Sequence, residues 1–546
     1  MTASIIQRTA SAYTYPLLIK NLFHAPVVDN PDQEIVYRDL LRYTYRDLRE
    51  RVCRLAAALT ALGVRPGDTV AVMDWDSHRY LECFFAVPML GAVLHTINVR
   101  LSAEQVLYTI DHAEDDYLLV NDEFLPVIEQ IKGRIDTVKG FVLLTDLDEP
   151  PQCGIRLAGE YEALLAAAAP EFEFADFDEN TRATTFYTTG TTGMPKGVYF
   201  SHRQLVLHTL GNLAAFGTPA TQGRFHQEDV YMPLTPMFHV HAWGMPYVAT
   251  SMGVKQVYPG KYAPATILQL VAGEGVTFSH CVPTVMHMLM NHPSFNELDL
   301  SRWKLLIGGS ALRKSMCQTA MARGIDIFTG YGMSETCPIL TVAHVHRDDL
   351  EFGEEVDLRC TTGRPIPLVE LRLVDEQMNE VAHDGEQVGE LVVRTPWLTQ
   401  GYLKDQRNSE NLWRGGYLHT GDVANIDRDN YVTITDRIKD VIKTGGEWLS
   451  SLELEDAISL YPGVAEVAVI GRQDSKWGER PLALVVPKEG VEAPTPRQII
   501  RHLSHFIEKG LLSKQAMLLK MQLVDAIDKT SVGKIDKKNL RLKYLP

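Results

Sequence analysis

Helical and strand patterns alternate along the first four hundred residues, and this alternation narrows the fold more than any other feature of the chain. Tyr45, Leu48, Val52, Leu55, Leu59 and Leu62 recur at steps of three and four, Gly63 follows as a helix stop, and Thr69-Val70-Ala71-Val72-Met73 is a continuous apolar strand. The unit repeats. A helical stretch over Tyr80 to Leu90 leads into Val93-Leu94-His95-Thr96, and one over Ser102 to His112 leads into Tyr117-Leu118-Leu119-Val120. Such units predict an α/β fold of mixed and largely parallel sheets with helices on their faces, and ligands bound beyond the carboxyl ends of strands.

Length adds a division into domains, because 546 residues are too many for one hydrophobic core. From about Gly389 the strand patterns shorten, as in Gly389-Glu390-Leu391-Val392-Val393-Arg394 and Tyr431-Val432-Thr433-Ile434, which predicts a β-rich subdomain over about 345–435. A boundary is expected near Asp436, leaving residues 1–435 as a large N-terminal domain and 436–546 as a small α+β domain. The latter would hold a helix over Leu452 to Leu460, strands Val464 to Ile470 and Leu482 to Val486, and a helix started by Pro496.

The net charge of −16 argues against a general nucleic-acid binder, which needs a basic field. Charge is uneven, however. Arg497 to Pro546 holds eleven Lys or Arg against four Asp or Glu, a balance of +7 that leaves −23 on the rest. A basic end on an acidic body suits a part that closes over anionic ligands. Seven scattered cysteines with no C-x-x-C pair read as reduced thiols of a cytoplasmic protein. Apolar runs such as Ala163 to Ala169 are too short to cross a bilayer, so membrane contact would be peripheral.

One loop points to chemistry. Thr188-Thr189-Gly190-Thr191-Thr192-Gly193-Met194-Pro195-Lys196-Gly197 follows the run Thr184 to Tyr187 and joins hydroxyls, glycines and a lysine. Glycines let backbone N–H groups converge on an anion, threonine hydroxyls add donors or metal contacts, and lysine adds charge, so the loop is built to hold phosphate. It lacks Walker spacing. Two later strand-to-loop junctions, Leu305-Leu306-Ile307-Gly308-Gly309-Ser310 and Ile327-Phe328-Thr329-Gly330-Tyr331-Gly332-Met333-Ser334-Glu335, have the form of a nucleotide-pocket rim.

The loop, Tyr331-Gly332-Met333-Ser334-Glu335, Tyr417-Leu418-His419-Thr420-Gly421-Asp422, Asp436-Arg437-Ile438-Lys439-Asp440 and Thr530-Ser531-Val532-Gly533-Lys534 stand in the order of the adenylate-forming enzymes, which the chain resembles over nearly its whole length. Pro236-Met237-Phe238-His239-Val240-His241-Ala242-Trp243-Gly244 and Gly445-Gly446-Glu447-Trp448-Leu449-Ser450-Ser451 resemble the medium- and long-chain fatty acyl-CoA ligase branch, which includes 3-methylmercaptopropionyl-CoA ligases. The resemblance implies an acid–thiol ligase that uses ATP and Mg²⁺ to make acyl-AMP with loss of pyrophosphate, then transfers the acyl group to CoA as a mobile C-terminal domain turns. It implies Lys534 as the catalytic cation and His239 near the carboxylate and α-phosphate. Thr188, Thr189, Gly190, Thr191, Thr192, Gly193 and Lys196 would hold phosphate, and Thr188 and Glu335 the metal. Gly309, Ser310, Ala311, Tyr331, Gly332, Met333 and Ser334 would surround adenine, with Asp422 and Arg437 at the ribose. Asp436 and Lys439 would serve the hinge, Trp243 and Val240 an acyl gate, and Lys443, Gly445, Gly446, Glu447 and Trp448 the CoA entry.

Apolar residues Val282, Met286 and Met288 suit an aliphatic acid, yet such residues also make plain core. A short thioether acid such as 3-methylmercaptopropionate, or an aryl acid, stays open, as do carrier-protein loading and a nucleotide-binding regulator without catalysis. The last predicts damaged motifs, whereas Glu335, Asp422 and Lys534 are all present. The departure from the wider pattern at Glu447-Trp448-Leu449-Ser450-Ser451 touches the CoA contacts rather than the ATP contacts. A homodimer is compatible with all of this.

Overall fold

The computed structural model describes residues 4–149, 151–188, 194–347, 349–444, 447–510, 512–530 and 534–545, with the side chains of 447 and 448 outside that description. Four sheets organise them. In the first, parallel strands Thr69–Met73, Val93–Thr96, Tyr117–Asn121, Gly140–Leu144 and Arg182–Thr188 are closed at one edge by antiparallel Lys196–Ser201. In the second, Val230–Leu234, Phe278–Cys281, Lys304–Ile307 and Asp326–Gly332 run parallel, and antiparallel Ile339–Val342 extends the edge.

The period-two geometry of a strand explains why these apolar runs are unbroken. Val70 and Val72 face the core between the two sheets, while Ala71 and Met73 face the helix Ala103–Ala113 on the outside. His78–Met89 is buried along its whole length: its apolar residues belong to the inter-sheet core, while His78, Arg79 and Glu82 are buried against Glu162, Asp146 and Arg51. The helix Tyr45–Leu62 begins at a Thr44 capping box and ends at Gly63, whose φ is 106°.

The third sheet is an antiparallel meander of Glu370–Val374, Gly389–Arg394, Leu418–Ile426 and Val432–Arg437. Part of the segment expected in the β-rich part goes elsewhere: the helix Phe352–Cys360 packs on Lys314–Ala322 and Asp326–Gly332, and Arg364–Pro365 pairs with the second sheet, while Gly363 bridges Val432 of the meander. Val356 is apolar and buried in that outer core, which draws the segment there. The fourth sheet, of strands between Ile442 and Leu523, packs under the helices Ser451–Ser459 and Pro496–Glu508 around its own core of Ile442, Leu454, Val467, Val485 and Leu503. Among the described residues no helix is long and apolar enough to cross a membrane.

Candidate active site

Strand ends from three sheets converge on one cleft. Thr188, the last residue of its strand, pairs across the hairpin with Lys196; residues 189–193, which carry the rest of the expected phosphate loop, lie outside the described residues. Lys196 places its ammonium 4.4 Å from the centre of the Tyr402 ring, a cation–π contact. The Tyr402 hydroxyl in turn donates to Glu335 Oε1 at 2.8 Å. One tyrosine thus couples the lysine of the loop to the buried carboxylate at the end of the second sheet.

Glu335 is reached through a tight turn. A Cβ on Gly332 would lie 1.8 Å from the Pro338 carbonyl oxygen, so only glycine permits that close approach. Among the described residues no cluster of three or more His, Cys, Asp or Glu side chains could cage a metal. A lone carboxylate with hydroxyl neighbours fits Mg²⁺, a hard cation that completes its shell with nucleotide phosphates and water.

Asp422 and Arg437 are direct cross-strand partners of the meander, and Arg437 Nε meets Asp422 Oδ1 at 2.8 Å. The Tyr331 hydroxyl donates to Asp422 Oδ2 at 2.6 Å. Asp422 is 1 % exposed, so these two partners carry the cost of burying its charge. Because successive side chains of a strand point to opposite faces, Asp436 looks away from the cleft. Its carboxylate accepts from the Ser451 backbone N–H at 2.6 Å and the Ser451 hydroxyl at 2.7 Å, while Lys537 bridges Ser451 Oγ at 2.5 Å and Glu455 at 2.8 Å. One strand therefore offers Arg437 to the nucleotide side and Asp436 to the C-terminal residues. Lys439 lies exposed just beyond it, and its carbonyl accepts from Arg541.

Lys534 reaches into the cleft from the C-terminal sequence. Its backbone is held by a bridge between Lys529 and Ile535 and by its carbonyl accepting from the Thr530 N–H at 2.7 Å. Its Cε lies 3.2 Å from where a Cβ on Gly309 would stand, and Gly309 itself has a φ of +79°. Burial first, and then the Arg437 cation, push the Lys534 pKa down to about 8, against the pull of Asp422 and Glu335. His239 is pushed down to about 3 by burial, Lys534 and Arg100, so its imidazole is neutral. Ser310 and Ala311 are exposed beside Gly309, and Met333 and Ser334 are half-buried beside Gly332.

Trp243 meets the same glycine pair from the other side. Its indole carbons lie 2.9 and 3.2 Å from the Cβ position of Gly308, and its ring is 5.1 Å from that of His280. Val240 is buried, Val282 approaches Gly309, and Met286 belongs to the outer core of the second sheet, away from this pair. The CoA candidates fall apart from this group: Lys443 pairs with Trp448 across the hairpin Ile442–Leu449 of the fourth sheet, next to Glu447, and Gly445 and Gly446 lie outside the described residues.

Three participants escaped the sequence reading. Tyr402 sits in a loop between the strands Gly389–Arg394 and Leu418–Ile426 and had no local pattern to mark it. Asn98 and Arg100 follow the carboxyl end of Val93–Thr96, where the parallel-sheet rule could have found them, and the Asn98 side chain accepts from the Arg100 N–H at 3.0 Å.

The AMP-binding enzyme family matches residues 23–403, and the AMP-binding enzyme C-terminal domain matches residues 453–534. The chain belongs to the AMP-binding enzyme family. It is 41% identical over 528 residues to a long-chain-fatty-acid–CoA ligase of Thermus thermophilus, covering 94% of this chain and 93% of the other. A 3-methylmercaptopropionyl-CoA ligase of Ruegeria lacuscaerulensis is 38% identical over 97% of both. Among solved structures, ATP-bound MatB from Rhodopseudomonas palustris superposes with a TM-score of 0.81 at 26% identity, over 96% of this chain and 98% of the other. The anthranilate CoA ligase AuaEII shares the fold at a TM-score of 0.84 and 24% identity, over 97% and 98%. The enzyme is accordingly an AMP-forming acid–CoA ligase, which works with ATP, Mg²⁺ and CoA.

Proposed function

We propose that this enzyme activates medium- to long-chain fatty acids in the cytoplasm, and that the orientation seen here is the one that makes acyl-AMP. A single observation carries the reading: Lys534 and Trp243 approach adjacent glycines, Gly309 and Gly308, so the cation of the first half-reaction and the largest apolar ring of the site are one residue apart. A carboxylate at Gly309 would meet Lys534, and its tail would run toward Trp243 and the buried Val240. The full-length similarity to a long-chain ligase supports an aliphatic acid.

The roles follow from charge. Two anions must meet when a carboxylate attacks the α-phosphorus, so placing and neutralising them is most of the task. Lys534 lies over the reacting oxygens, while neutral His239 can donate a hydrogen bond there without adding repulsion. Asp422, with lone pairs left after Arg437 and Tyr331, accepts from the ribose hydroxyls, and the Tyr331 ring lies against adenine. Lys196 and the loop from Thr188 hold the outer phosphates. Mg²⁺, bound by Glu335 and the Thr188 hydroxyl, would offset phosphate charge. Residues 436–546 act as the moving domain: rotation about Asp436 and Lys439 withdraws Lys534 and brings the hairpin with Lys443 and Trp448 to the acyl-adenylate for CoA.

Pyrophosphate exchange with acids from propionate to palmitate, plus thioether and aryl members, tests this. Maximal kcat/KM is expected between eight and sixteen carbons. A maximum at 3-methylmercaptopropionate or an aryl acid would replace the fatty-acid assignment.

A further inference from the structure

The turn that carries Trp243 is held under tension, and His241, two positions earlier, lies in the same left-handed stretch. Val240, His241, Ala242, Trp243 and Gly244 have φ values of 42°, 57°, 46°, 60° and 73°, four consecutive residues with a Cβ in the left-handed region. Such residues visit that region singly at best, and β-branched Val240 pays the most. Both flanks are anchored: Met237 N–H donates to Asp76 at 2.8 Å, the Thr96 hydroxyl donates to the Phe238 carbonyl at 3.0 Å, and the helix Met245–Met252 follows. Inside the stretch, turn bonds run from the Ala242 N–H to the His239 carbonyl at 3.1 Å and from the Gly244 N–H to the His241 carbonyl at 2.9 Å.

His241 adds a second cost. Its ring is fully buried, edge-on to Phe84, Phe186 and Phe200 at centroid distances of 6.0, 5.2 and 6.1 Å. Neither ring nitrogen meets a hydrogen-bond partner among the described residues. A buried imidazole without partners loses its hydration and gains nothing in return, whereas a phenyl ring in the same aromatic cage would not. Both costs are present in the conformation in which Trp243 covers Gly308.

Resting on the fatty-acid and gate reading above, we propose that His241 is a positioning residue for acyl selection: its unpaired ring and the left-handed stretch keep the covering position of Trp243 only slightly preferred, so that an acyl tail can displace it. The device sets how readily long tails enter and leaves short acids, which need no displaced ring, nearly untouched. A ligand shifts such an equilibrium only by its differential affinity, so a closed state made more stable must be overcome by the tail.

Two substitutions remove the two costs separately. His241→Phe replaces the unpaired nitrogens, and Ala242→Gly removes the left-handed penalty at 46° without changing a side chain in the cage. In pyrophosphate exchange, each is expected to lower kcat/KM for decanoate and palmitate about five- to tenfold through KM, with propionate changed less than about twofold. Ala242→Gly should also raise Tm, and it decides the matter alone if His241→Phe does not fold. Trp243→Ala is the control, expected to flatten the chain-length dependence. If Trp243→Ala flattens it while both other variants keep the wild-type ratio of palmitate to propionate, His241 is merely a core residue and the proposal fails. If Trp243→Ala changes nothing, the gate itself is refuted, and if the wild type activates no fatty acid, the substrate reading is.

Discussion

Replacing Lys534 by Met should make the unliganded enzyme more stable and disable only half of its chemistry. The ammonium is held beside Gly309 with its pKa pushed down to about 8, first by burial and then by Arg437. The folded state thus binds this proton less tightly than the unfolded chain, and the penalty is fully present at pH 7, easing only as pH rises above 8. A drop of that size corresponds to about 3 kcal/mol at 1.36 kcal/mol per pH unit. Solvent in the cleft reduces the expected gain on removing the charge to about 1 kcal/mol. Catalysis moves the other way. A cation about 4 Å from a phosphoryl oxygen, at an effective dielectric of about 20, contributes about 4 kcal/mol, or about a thousandfold in rate. Loss of one preorganised donor typically costs about 10²–10³, in agreement. Pyrophosphate exchange should therefore fall by at least about a hundredfold, while conversion of supplied acyl-AMP and CoA to thioester changes less than about threefold. A lower apo Tm, or equal losses in both half-reactions, would refute the placement of Lys534.

Asp422→Asn removes the charge that pairs with Arg437 and accepts from Tyr331, and should raise the KM for ATP about ten- to a hundredfold, with Tyr331→Phe costing no more than about tenfold. Glu335→Gln keeps a partner for Tyr402 but loses the metal-binding charge, so a magnesium titration of activity should shift to higher concentration by about tenfold or more. Asp76, buried beside Tyr262 and the Met237 N–H, has its pKa pushed up to about 7 by burial. Its protonated form is favoured on folding, so that contribution is present at acid pH and lost as pH rises through 7; Asp76→Asn should raise Tm more at pH 8 than at pH 5.5. An equal change at both pH values would show that Asp76 does not titrate in this range.

Local order determined a large part of this molecule. Steps of three and four from Tyr45 to Leu62, the stop at Gly63 and the apolar run Thr69 to Met73 are properties of neighbouring residues, and the corresponding helix and strand lie where such patterns put them. The order of the glycine, tyrosine and lysine motifs likewise sufficed for the family, since it is a linear property. Tertiary structure alone decided which of them meet. Tyr402 joins Lys196 to Glu335 across 206 and 67 positions, distances at which no pattern operates. The helix Phe352–Cys360 left the meander because its buried Val356 finds a core on the second sheet. Asp436 and Arg437 are adjacent in sequence yet face opposite ways because a strand alternates its sides, and Lys534 and Trp243, 291 positions apart, approach the same glycine pair from two sides. Sequence specifies which residue types stand in what order; proximity across sheets is specified by packing, and the chemistry of this site depends on proximity.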